Sequence, residues 1–82
     1  MTYDVLAVLW AGPGTEIEVV RAVGERLGTP ISRNAVDAHL RLLRTTGHVR
    51  TLNLAGTTAY ALTESGSELL STLAENELHV CL

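Results

Sequence analysis

Residues 29–62 read TPISRNAVDAHLRLLRTTGHVRTLNLAGTTAYAL, and this run leaves few folds open. Pro30 breaks whatever helix precedes it, Ser32 is placed to cap a new one, and Gly47 follows that helix's end. Val36, Leu40 and Leu43 recur at helical spacing, which pins one side of a helix over about 32–46 to a core. With Val36 at 0°, Asn34, Ala38, Arg41 and Thr45 fall within about 40° of the opposite pole at 3.6 residues per turn. Arg33, Asp37 and Arg44 lie on one flank; Ala35, His39 and Thr46 lie on the other. Two stretches of strand-forming residues follow, about 48–54 and 57–62, joined by a tight turn at Ala55-Gly56.

The flanking segments supply the cover that this helix and hairpin need. A first helix is expected over about 2–11, ended by a turn at Gly12-Pro13-Gly14. It is apolar almost all round, so it must be covered on more than one side, in part by a second subunit. Thr15-Glu16-Ile17-Glu18 matches a capping box and starts a second helix that ends near Gly28. There Ile17, Val20, Val23 and Leu27 form the expected core stripe, and Glu18, Arg21 and Glu25 face water as a solvated ladder. Thr63 can cap a final helix over about 63–78. Its stripe of Gly66, Leu69, Leu70, Leu73 and Ala74, continued by Val80, is wider than one neighbour can cover, which again implies a partner surface.

Eighty-two residues make one domain, near the lower end of what a single core sustains. Tyr3, Trp10 and Tyr60 are the only aromatics, so the core must be built from Leu, Val and Ala. Charge is polarised along the chain. Residues 32–50 carry Arg33, Arg41, Arg44 and Arg50 against Asp37 alone, whereas residues 51–82 carry four glutamates and no base. The net charge of −3 thus hides one basic element on an acidic body, a distribution that suits contact with phosphate.

Other chemistries find little support. The single Cys81 precludes an internal disulfide and fits a reducing compartment. The longest apolar run, 5–11, is too short to span a bilayer and has no basic region before it, so a cytoplasmic chain without signal peptide or membrane partner is expected. No Ser/His/Asp order, CxxC pair or Gly-rich phosphate loop suggests an enzyme. His79 and Cys81 are two soft ligands without a third nearby, so neither a metal nor another cofactor is expected.

Two segments, ISRNAVDAHLRLLRTTGHV and AYALTESGSELL, resemble the bacterial winged helix-turn-helix regulators, most nearly the PadR-like group and less closely the MarR-like group. The first looks like a recognition helix running into a strand, the second like the exit from a wing. The resemblance implies an α+β, mainly helical fold: a three-helix core, a two-stranded wing over about 48–62 and a C-terminal helix, all in one domain of residues 1–82. It further implies a homodimeric DNA-binding regulator, a repressor, with helix 32–46 in the major groove and a wing tip at 53–58 beside the backbone. The tip, NLAGTT, carries no Arg or Lys, and the pI is about 5.5. These two departures keep open a winged helix that binds another protein and no DNA.

On this reading Arg41, mid-helix and outward, is the first choice for a base or phosphate contact. Asp37 orients it; the plainer alternative is an exposed ion pair worth ~0.3–0.5 kcal/mol. Asn34 sits where a side chain can pair with adenine, or it supplies ordinary polarity at a helix start. Arg33, Arg44 and Arg50 suit phosphates. Ser32, Ala38, Thr45 and Thr57 complete the expected DNA-facing set. Tyr3, Leu6, Trp10, Leu70, Leu73 and Ala74 form the expected interface between two copies. Duplex DNA and a second copy are the partners expected, and no pattern specifies an effector.

Overall fold

The computed structural model describes residues 1–80, with side chains described through Glu75. The elements are α1 (Thr2–Trp10), β1 (Gly14–Thr15), α2 (Glu16–Leu27), α3 (Arg33–Thr45), β2 (Val49–Leu54), β3 (Thr57–Leu62) and α4 (Glu64–Val80). Three helices, a hairpin and a closing helix follow in the order expected of an α+β winged helix. The additional element is β1. The turn expected at Gly12-Pro13-Gly14 runs directly into a two-residue strand, which pairs antiparallel with β3 at Gly14↔Tyr60 and Thr15↔Ala59. The sheet order is therefore β1-β3-β2, and β3 is the central strand.

Thr15 serves two elements at once. It ends β1 and caps α2: the Glu18 amide donates to Thr15 Oγ1 at 3.3 Å, and the Thr15 amide donates to Glu18 Oε1 at 3.0 Å. This reciprocal box satisfies two amides that a helix start otherwise leaves open. Gly28, at φ 70°, ends the helix in the left-handed region. The buried side of α2 is rotated from the expected stripe. Val19 and Val23 are fully buried with Val20 beside them, while Ile17 and Leu27 are exposed. A face centred between Val19 and Val23 leaves Ile17 about 140° away at 100° per residue. The stripe drawn through Ile17 passed over Val19, one turn before Val23.

The core comprises Val5, Leu6 and Leu9 of α1, Val19 and Val23 of α2, Val36, Leu40 and Leu43 of α3, and Val49 of β2. It contains no aromatic residue and, among the described residues, no buried polar side chain. Leu6, expected between two copies, is instead wholly inside the chain's own core. An all-round apolar helix does not announce which side its own chain covers, and here Leu6 lies on that side. Trp10, by contrast, is exposed. On α4, Leu69, Leu70, Leu73 and Ala74 are half-buried along the expected stripe, and Gly66 is buried. Val80, which would continue that stripe, and the His79/Cys81 pair lie outside the described side chains.

Thr63 joins three elements. Its hydroxyl donates to the Gly47 carbonyl at 2.6 Å and accepts from the Gly66 amide at 3.1 Å, while its own amide donates to the His48 carbonyl at 3.2 Å. The end of α3, the start of β2 and the first turn of α4 are thereby held together. Gly66 is required for this approach, because a Cβ there would run into the His48 carbonyl and crowd Leu62. At the far end of the hairpin, Ala55 (φ 51°) and Gly56 (φ 84°) both adopt left-handed backbone, the geometry of a tight two-residue turn. Asn53 Oδ1 accepts the Gly56 amide at 2.9 Å and steadies it.

Two outcomes test this account. Gly66→Ala should lower stability by about 1–3 kcal/mol, read as a fall in thermal midpoint, because the clash is with backbone that cannot swing aside; an unchanged midpoint would refute the close approach. The Glu18 carboxyl is held below its ordinary 4.5 chiefly by the backbone amide and hydroxyl of Thr15. Its stabilising effect is therefore complete above pH 4.5 and lost as pH falls through the lowered value. The difference in urea midpoint between the native chain and Glu18→Gln should shrink on acidification, and a pH-independent difference would contradict the assignment.

Candidate nucleic-acid interface

Burial of Val36, Leu40 and Leu43 turns the opposite side of α3 to solvent. Asn34, Ala38, Arg41 and Thr45 are exposed along it; Ser32 before its start and Arg33 and Arg44 on its flank are exposed as well, and Asp37 is half-buried on that flank. Ser32 occupies the N-cap position with extended backbone, but its side chain makes no cap hydrogen bond. The Asp37 carboxylate meets Arg41 Nε at 3.0 Å, one turn along the helix. Arg41 nevertheless remains about three-quarters exposed, so the pair orients the guanidinium without hiding it. Such an exposed pair adds little stability, on the order of 0.3–0.5 kcal/mol.

The other arginines divide into two kinds. Arg33 Nε contacts Glu16 Oε1 at 3.1 Å, tying the start of α3 to the start of α2 and offsetting part of its charge. Arg44, in the last turn of α3, and Arg50, at the base of the hairpin, have no carboxylate partner among the described residues. Arg50 stands opposite Ala61 in the ladder, and Thr57 stands opposite Leu54 at the turn. Arg33, Arg41, Arg44 and Arg50 are thus the exposed cations of this part of the molecule, the first two each with one carboxylate partner.

His39 is half-buried on the flank of α3, where its Nδ1 lies 3.3 Å from Thr2 Oγ1 and links α3 to α1. Thr45 Oγ1 donates to the Arg41 carbonyl at 2.9 Å, and Thr46 Oγ1 is bonded in the same way to Leu42 at 3.1 Å. Two apolar side chains belong to the exposed surface although sequence reasoning did not place them there. Leu42, on α3, is 58% exposed, and Leu54, at the hairpin turn, is 52% exposed. Leu42 lies about 60° from the outward pole of the helix, which was the available signal, but the spacing argument through Val36, Leu40 and Leu43 assigned it to neither face. Leu54 had no such signal, since alternation in a short hairpin does not say how far the strand extends past the body.

The residues expected between copies fall on other surfaces. The Tyr3 ring is half-buried beneath the Arg26 guanidinium, 5.8 Å from its centroid, and Arg26 also contacts Asp4 at 3.5 Å. Trp10 stands 67% exposed at the end of α1. Leu70, Leu73 and Ala74 lie half-buried on α4. Two shallow hollows, of 390 and 450 Å³, flank α2 and are lined by none of the exposed α3 residues. Among the described residues no group of His, Cys, Asp and Glu could hold a metal ion, and no helix is long and apolar enough to cross a membrane.

No protein-family model and no curated protein matches the chain. Solved structures do. A transcriptional regulator from Clostridium thermocellum superposes with a TM-score of 0.88 at 14% identity, covering 98% of this chain and 84% of that one. RosR of H. salinarum gives 0.83 at 24% identity, over 95% of this chain and 72% of RosR. Bacillus subtilis PadR, in complex with operator DNA, gives 0.74 at 22% identity, over 89% of this chain and 45% of PadR. The chain shares the winged-helix fold of these structures, the fold that the two sequence segments implied. At these identities the likeness is one of fold.

Proposed function

We propose that the chain is a sequence-specific regulator of transcription that binds duplex DNA as a homodimer and represses by occupying its site. The observation that carries this reading is the outward side of α3, where Arg41 is oriented by Asp37 yet open to solvent, with Asn34 and Arg44 on the same exposed surface. A helix of this kind fits the major groove, where arginine pairs with guanine and asparagine with adenine. Arg44 and Arg50 suit flanking phosphates, and Thr57 can add a hydroxyl contact from the wing. The presence of operator DNA in the PadR complex supports the same use of the fold.

Pairing of two copies through α1 and α4 would present two α3 helices about 34–36 Å apart, one turn of duplex. The exposed Trp10 and the half-buried Leu70, Leu73 and Ala74, with Tyr3 at the edge, are the side chains proposed for that contact. Leu6 takes no part in it. A second reading, a winged helix that binds a protein, draws on the uncharged hairpin turn and its exposed Leu54. The two differ in their response to salt, because only a polyanion releases condensed counterions.

With two or three phosphates neutralised per protomer, log K should fall against log salt with a slope of roughly −4 to −5 per dimer. Arg41→Ala should weaken binding and flatten that slope by roughly one per protomer if the contact is to phosphate, or relax base preference if it is to guanine. Unchanged affinity for a confirmed site would exclude Arg41 from the interface. In sedimentation experiments, Trp10→Ala should weaken self-association at least about tenfold; a native chain that stays monomeric would overturn the homodimer.

A further inference from the structure

The exposed side of α3 is divided. Asn34 and Arg41 occupy one half, and Ala38, Leu42 and Thr45 form a strip at i, i+4 and i+7 on the other. Ala38 offers only a methyl. Thr45 has committed its one hydroxyl proton to the Arg41 carbonyl, so toward a ligand it presents its methyl and an oxygen that can only accept. Between them Leu42 is 58% exposed, the largest apolar group on this side of the helix. Single exposed leucines are common on protein surfaces. This one differs in being bracketed by two further methyl groups and lying beside the oriented Arg41.

We infer that Ala38, Leu42 and Thr45 form a specificity strip that recognises the C5-methyl group of a pyrimidine in the major groove. The inference rests on the proposal that α3 enters that groove. The strip spans about 10 Å along the helix axis, the length of about three base pairs. In the major groove the C5-methyl is the apolar feature of the base edges, and apolar side chains are its natural contact. The methyl can come from thymine or from 5-methylcytosine, since both place it at the same ring position. Arg41 would then read or anchor on one side while the strip reads methyl groups on the other. A polar replacement at Leu42 would lose that preference without removing any charge.

The test uses the full native chain and a duplex selected by it from a random pool. Each thymine of the selected duplex is replaced in turn by deoxyuridine, which removes the methyl alone. In parallel, cytosines are compared with their 5-methylated forms. Deoxyuridine at one or two positions per half-site should weaken binding about fourfold per methyl, the value of one buried CH₂. Leu42→Ala, whose retained fold is checked by circular dichroism, should bind the thymine duplex as weakly as the native chain binds the deoxyuridine duplex, and should no longer distinguish the two. A response in the thymine arm assigns the methyl to thymine; one in the cytosine arm alone assigns it to 5-methylcytosine; both support recognition of the methyl itself. Tight duplex binding that is indifferent to every methyl overturns the strip and leaves the DNA-binding reading intact. Failure to retain any duplex from the pool overturns the DNA-binding reading and the strip with it.

Discussion

The burial of Val36, Leu40 and Leu43 sets the rotation of α3, and the rest of the molecule's chemistry follows from that rotation. These three side chains meet Val5, Leu6 and Leu9 of α1, Val19 and Val23 of α2 and Val49 of β2 in one aliphatic core. Fully burying each contributes on the order of 1.5–3 kcal/mol relative to leaving it exposed, far more than any exposed ion pair here. Turning α3 so as to hide Arg41 or Asn34 would expose that core. Packing therefore decides which side chains can meet a partner, and electrostatics decides only how they are held.

The position of α3 relative to the hairpin depends on a smaller set of contacts. Thr63 bonds to Gly47, His48 and Gly66, and Gly66 has no Cβ to push the His48 carbonyl away. The hairpin then runs from this junction in unbroken register from Val49↔Leu62 to Leu54↔Thr57. The hairpin and α3 keep a fixed relation to one another. Here that relation is set by short-range hydrogen bonds at the hairpin's base, and β1 adds a third strand that ties the other edge of β3 to the start of α2.

Much of this was legible in the sequence, and for identifiable reasons. The 36–40–43 spacing gave the inward side of α3, Thr15 to Glu18 gave a helix start, and Ala55-Gly56 gave the turn, because each signal is local and strong. What was not legible depends on tertiary geometry. β1 is too short for any alternation, and its residues double as a turn and a cap. The rotation of α2 toward Val19 and the burial of Leu6 reflect how three helices share one small core. The Arg33–Glu16 contact joins residues far apart in sequence, and its effect on the charge of α3 could not be read from local composition. Leu42 was left unassigned because a leucine next to two core leucines is ambiguous until the helix is oriented.

The electrostatic character follows from the same arrangement. Acidic residues populate α2 and α4, while four of the six arginines, Arg33, Arg41, Arg44 and Arg50, lie exposed on α3 and the hairpin base, Arg33 and Arg41 each with one carboxylate partner. The most direct test is chemical-shift mapping of the isotopically labelled 82-residue chain during titration with duplex DNA at low salt. Duplex binding through α3 should perturb Asn34, Ala38, Arg41, Leu42, Thr45 and Arg50, reversibly with added salt. Spectra unmoved by duplex, or shifts confined to α1 and α4, would contradict it.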